Sequence, residues 1–131
     1  MMMLNPAELQ NSNLMNTIVY GIPNCNTVKK ARTWLEEQEI EYTFHDFKKL
    51  GISTEKLNSW CAVFGWENVL NKKGTTWRKL APEEQLAVKD QATAVALLLQ
   101  NTSAIKRPVV EQDNKPVLLG FEEESYQQIL K

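Results

Sequence analysis

The sequence predicts an α/β fold in which a β-α-β half and a β-β-α half are separated by a block of helices. Three observations predict it. A β-rich run, an amphipathic helical stretch and an alternating run follow one another over residues 17–47. The next fifty or so residues, roughly 53–103, carry helical spacing with few strand signals. Two short apolar runs flanking a polar connection then precede a last helical stretch.

Each element has its own signature. Residues 17–21, Thr-Ile-Val-Tyr-Gly, read as a strand closed by glycine. Ile22, Pro23 and Asn24 turn the chain, and a helix is expected over about 25–38, with Val28, Ala31 and Leu35 on its apolar face. Residues 40–47 alternate as a strand, with Ile40, Tyr42 and Phe44 on one face. A strand, a helix and a strand in that order imply a right-handed crossover and parallel pairing. Ser53 or Thr54 caps a helix that places Leu57, Trp60, Cys61 and Phe64 together. Residues 71–76 form a polar break. Pro82 opens a helix with Glu83 and Glu84 in its first turn, and residues 92–99 are a further apolar helix. Residues 109–111 and 117–119 read as a hairpin whose connection lacks glycine, with Pro116 at the lip of the second strand. Gly120 leads into a helix over 122–131 with an acidic start. A thioredoxin-like sheet interrupted by a helical insert over about 53–103 produces this order. Residues 1–15 lack periodicity and read as a disordered N-terminal extension, leaving 16–131 as one domain.

Composition limits the function classes. The chain has 131 residues, 43% of them hydrophobic, and a net charge of −1, so non-specific nucleic-acid binding is not expected. No apolar run reaches the roughly 20 residues a membrane span needs. No secretory signal is seen at the start, so a cytoplasmic protein with reduced cysteines is expected. Its two cysteines are too few for a disulfide scaffold or a four-thiolate zinc site, and His45-Asp46 is too little for a metal.

Cys25 is the candidate nucleophile. It lies where the strand-turn ends and the helix begins, so free N–H groups and the positive end of the helix dipole favour its thiolate. Asn26 and Thr27 are small polar neighbours, and Lys29 and Lys30 add positive charge. Position 28 is Val, so the second cysteine of a Cys-x-x-Cys pair is absent and any disulfide chemistry is monothiol, resolved by an external thiol or by Cys61. Spacing alone also fits a small buried cysteine. That is the expectation for Cys61, which shares a helix face with Leu57, Trp60 and Phe64. In a thioredoxin-like fold Pro108 would be cis and face the thiol, bringing Arg107 beside Cys25.

Residues 20–31, YGIPNCNTVKKA, strongly resemble the active-site stretch of the arsenate reductase ArsC/Spx family, and of its YffB-like branch in particular. The segments FKKLGI, GTTWRKL and IKRPVV look like that branch too, so the resemblance runs from about residue 17 to the end. It implies a thioredoxin-like fold with a helical insertion. It also implies a glutathione-dependent thiol oxidoreductase, with Cys25 and Arg107 catalytic and Asn26, Thr27, Lys30 and Pro108 meeting glutathione or substrate. No cofactor is expected to stay bound. Glutathione would be the co-substrate, glutaredoxin an accessory partner, and a small-molecule or protein disulfide the substrate. Gly120 and Glu122 would lie near the glutathione amino group. Arsenate reductases of the family use three arginines: Arg107 matches one, whereas the others fall at Asn71 and near Gly120-Phe121. Arsenate reduction is therefore the second expectation. A Spx-like, non-catalytic role in binding RNA polymerase is the third, disfavoured by Val28.

Overall fold

The computed structural model describes residues 16–131. The expected disorder of residues 1–15 lies outside the described residues. The chain runs β1 (Thr17–Gly21), α1 (Asn26–Glu37), β2 (Thr43–Asp46), α2 (Phe47–Leu50), α3 (Thr54–Phe64), α4 (Trp66–Val69), α5 (Thr75–Arg78), α6 (Pro82–Leu86), α7 (Gln91–Gln100), a 3-10 turn (Thr102–Ala104), β3 (Val109–Gln112), β4 (Lys115–Leu119) and α8 (Glu123–Leu130). The sheet order is β2-β1-β3-β4, with β1 parallel to β2 and antiparallel to β3. This is the α/β, thioredoxin-like arrangement with the helical insert between its halves.

Strand alternation divides the core into two layers. On β1, Tyr20 points toward the insert with Val109 of β3, packing on Phe47, Leu57, Trp60 and Leu98. Val19 and Val110 point the other way, onto Ala31, Trp34 and Leu35 of α1 and Tyr126 of α8. Burying each of these large apolar side chains contributes about 1.5–3 kcal/mol.

Local chemistry sets the boundaries. Asp46 ends β2 and accepts the Lys48 and Lys49 N–H groups, so Phe47 begins a helical turn instead of extending the expected strand. The hairpin needs no glycine because Asp113 and Asn114 both take positive φ, 52° and 68°, as two-residue turns require. Asp113 also accepts the Asn16 N–H at 2.9 Å. Pro116 lies one residue inside β4, opposite Glu111 and beside a register irregularity at Val110/Glu111. On this edge strand its missing N–H is tolerated.

One polar cluster sits within the insert-facing layer. Glu111 is fully buried and accepts from Lys56 at 3.0 Å, Tyr20 at 3.1 Å and the Trp60 indole at 2.7 Å. Three donors satisfy a carboxylate that would otherwise be costly to bury.

Candidate active site

The turn after β1 delivers Cys25 to the N-cap of α1, with extended backbone angles of −147° and 123°. Its carbonyl accepts the first helical N–H, from Lys29, at 2.9 Å. Sγ closes no full cap hydrogen bond, but it meets the free end of the helix. Gly21 makes room for this approach, since a Cβ there would lie 2.8 Å from Val28 Cγ2.

Partial burial works against the Cys25 thiolate. The N–H of Val28, the guanidinium of Arg107 through hydrogen bonding and charge, and the N–H of Thr27 outweigh it, and together hold the thiol below its ordinary value. Cys61 shows the contrast. It is buried against Leu57 and Trp60, and burial alone pushes its thiol up.

Arg107 is aimed by its own segment. Its Nη1 donates to Ser103 O at 2.6 Å and Ile105 O at 3.4 Å, while its buried Nε has no partner. The Arg107-Pro108 peptide is cis. The Pro108 carbonyl accepts the Gly120 N–H at 2.8 Å, fixing the start of the segment that follows β4. Gly120 has φ +79°, and a Cβ there would sit 3.2 Å from Lys106 Cε.

These elements enclose a cleft of about 380 Å³ lined by Cys25, Thr27, Asn71, Lys73, Lys106 and Arg107 on one side. Leu119, Gly120, Phe121 and Glu122 complete it. Asn71 and Lys73 reach it because Leu70 and Ile105 form an isolated antiparallel bridge, with Asn71 N–H on Ala104 O and Lys106 N–H on Val69 O, both at 2.8 Å. Asn71 Oδ1 then accepts the Lys73 N–H at 3.1 Å. The cleft carries three cations against one carboxylate, a balance suited to an anionic ligand.

Not every expected residue is in this cleft. Cys25, Thr27 and Arg107 share it; Asn26 and Lys30 instead line a neighbouring groove with Lys29, Thr33, Trp34 and Phe121. The Lys72-Lys73 pair reads in sequence as solvated or as a lure for an anionic substrate, and Lys73 does line the cleft; Lys106 gave no local signal, because the bridge that places it joins distant segments. Lys72 lies over Trp66 and Trp77, 5.8 and 5.4 Å from their ring centroids, and does not line the cleft. His45 lies outside the cleft, with Nε2 2.9 Å from Gly51 O and its ring against Tyr20. Asn71 and Gly120-Phe121 do line the cleft, so Arg107 is the one arginine among its lining residues.

Fold and site together define a thioredoxin-like protein with a single helix-start thiol facing a cis-proline arginine. Residues 20–129 match the ArsC family, and the chain belongs to that family. It is similar to the solved structure of a YffB protein, at 46% identity and TM-score 0.84, covering 88% of this chain and all of that one. The structure of an arsenate reductase (ArsC) related protein from Brucella melitensis is 45% identical with TM-score 0.69, covering 89% and 96% of the two chains. The global transcriptional regulator Spx of Streptococcus pyogenes is 27% identical, over 82% of this chain and 80% of its own.

Proposed function

We propose that this protein is a glutathione-dependent thiol oxidoreductase acting through Cys25 alone. The observation that carries the reading is the pairing of a helix-start thiol, held below its ordinary value, with Arg107 in a cationic cleft. The Cys25 thiolate attacks one sulfur of a disulfide, forming a mixed disulfide and expelling the other half as a thiolate. A glutathione thiolate then attacks that mixed disulfide, releasing Cys25. Where the expelled half is glutathione's partner, the second step yields oxidised glutathione. Arg107 steadies the sulfur anion in both steps, and Thr27 and the helix-start N–H groups assist it. Lys73 and Lys106 suit the two glutathione carboxylates, and Glu122 its ammonium.

Reduction of an oxyanion is the second reading, favoured by likeness to an arsenate reductase related protein. It is weakened by the cleft itself, where Asn71 and Phe121 stand at the positions the resemblance assigns to two arginines. Each missing charge-assisted contact removes about 1.5–3 kcal/mol. A regulator's binding role, the third expectation, draws on likeness to Spx. Turnover separates them. Glutathione-coupled reduction of a small disulfide should proceed with the wild type and with Cys61→Ser and stop with Cys25→Ser, while arsenate gives little rate. Arsenate turnover exceeding disulfide turnover favours the second reading. No turnover of either, with capture of RNA polymerase, favours the third.

A further inference from the structure

One wall of the Cys25 cleft is a run of three residues, Gly120, Phe121 and Glu122, between the end of β4 and the start of α8. Gly120 stands there with φ +79°, and a Cβ in its place would sit 3.2 Å from Lys106 Cε, so glycine is the residue that fits. A glycine does not hold its own conformation, because both signs of φ are open to it. Its neighbours must hold it. The Gly120 N–H donates to Pro108 O at 2.8 Å, beside Arg107, and the Gly120 carbonyl accepts the Tyr126 hydroxyl at 2.6 Å.

Tyr126 meets the other two residues of the wall as well. Its ring lies edge-on to Phe121, with centroids 4.8 Å apart, and its backbone N–H donates to Glu122 O at 3.1 Å. It is the buried residue of α8, 1% exposed, seated against Trp34 and the apolar layer of Val19 and Val110. A phenylalanine would fill that space equally well. The hydroxyl is what core packing does not call for, and a buried hydroxyl is costly unless it is bonded. Its partner is Gly120 O, so it fixes where that carbonyl must lie. Glu122 is the N-cap residue of α8, yet its side chain makes no cap hydrogen bond, which leaves its carboxylate to the cleft.

We infer that Tyr126 is a positioning residue for this wall: through Gly120 it holds the Glu122 carboxylate facing the ammonium of a thiol joined to Cys25, and so makes the protein select thiols that carry an ammonium. The inference rests on the glutathione-dependent reading of the Cys25 cleft. Two duties are then separate within the site. The helix-start N–H groups and Arg107 tune the sulfur from one side, and neither Tyr126 nor Glu122 is among the groups that act on it. Tyr126 acts on what the sulfur is joined to.

The test compares two substrates: the mixed disulfide of glutathione with 2-mercaptoethanol, and its deamino counterpart, in which a glutaryl group replaces the γ-glutamyl group. Cys25 attacks the tripeptide sulfur of either one and expels mercaptoethanol as a thiolate; glutathione, as thiolate, then attacks the sulfur joined to Cys25 and frees it. The ratio of the two kcat/KM values measures selectivity, and a loss of folded protein lowers both values together without moving it. Wild type is expected to favour the glutathione form by about fivefold, the effect of one partly exposed ion pair. Glu122→Gln should bring the ratio to about one. Tyr126→Phe should bring it to about twofold or less, with iodoacetamide labelling of Cys25 against pH unchanged, and the double variant should match Glu122→Gln alone. A wild-type ratio of about one, a preference that survives Glu122→Gln, or a Tyr126→Phe ratio equal to that of wild type overturns the inference. Turnover of neither substrate by wild type overturns the glutathione reading instead. The wall is then read in Cys61→Ser proteins with two methanethiosulfonates, one carrying a trimethylammonium group and one neutral. The cationic-to-neutral rate ratio at Cys25 should fall in Tyr126→Phe at least halfway to its value in Glu122→Gln, and a ratio that stays at the wild-type value overturns the positioning role.

Discussion

Arg107→Gln removes the guanidinium beside Cys25 and keeps a side chain able to reach the carbonyl of Ser103. A hydrogen bond to an ionised group contributes about 1.5–3 kcal/mol. Cys25 is half-buried, so solvent screening brings the effect to the lower end, about 1.4 kcal/mol or tenfold in thiolate population. The sign follows from the charge: losing a neighbouring cation favours the neutral thiol. A more basic thiolate is also a better nucleophile, and a Brønsted coefficient of about 0.4–0.5 returns about threefold. The net expectation is alkylation about threefold slower than wild type below the thiol's midpoint and about threefold faster once both thiols are fully ionised. The two pH–rate curves therefore cross. Iodoacetamide labelling of the Cys25 peptide, followed by mass spectrometry across pH, reads this directly. Curves that coincide, or that stay parallel at every pH, refute the assignment of Arg107 as the thiolate's partner.

Three further outcomes are expected. Glu111→Ala leaves Lys56, Tyr20 and Trp60 donors facing an empty position, and urea unfolding should show a loss of about 3–5 kcal/mol. Stability should fall as pH rises above about 10: burial raises the Tyr20 and Tyr126 hydroxyls above their unfolded values, and Glu111, against the effect of burial, raises Lys56. Each group therefore contributes fully below its unfolded value and loses that contribution through its folded one; Tyr126→Phe should flatten this alkaline limb in thermal melts while costing about 1 kcal/mol at neutral pH through the lost hydrogen bond to Gly120. Asn71→Arg puts a second guanidinium in the cleft, and arsenate should then protect Cys25 from alkylation at concentrations about tenfold lower than in wild type.

Local chemistry was legible in the sequence. The apolar spacing of Val28, Ala31 and Leu35, the Ser53 cap and Pro82 at a helix start all act within a few residues, and the corresponding helices form where the spacing puts them. Cys25 at the helix start and Arg107 before a cis-proline also followed from element order. What could not be read was set by contacts between distant segments. The Leu70–Ile105 bridge brings Asn71 and Lys73 to the thiol, and no local pattern announces it. The Glu111 cluster joins β1, α3 and β3 through one carboxylate that resembles any polar strand residue in sequence. Lys30 is near Cys25 in sequence, but the helix turns it onto the adjoining groove. The expected strand over 40–47 is shorter at both ends: residues 40–42 alternate in sequence but lie outside it, and at Asp46 a helix cap takes over.

The central claim is that Cys25 is a thiol tuned for attack by the helix start and Arg107. Labelling cysteine with ¹³C at Cβ gives one resonance for each of the two cysteines, assigned with Cys25→Ser, and a pH titration follows both at once. The account predicts a Cys25 midpoint below the ordinary cysteine value of about 8.5, with Cys61 above it. A Cys25 midpoint at or above that value would contradict it.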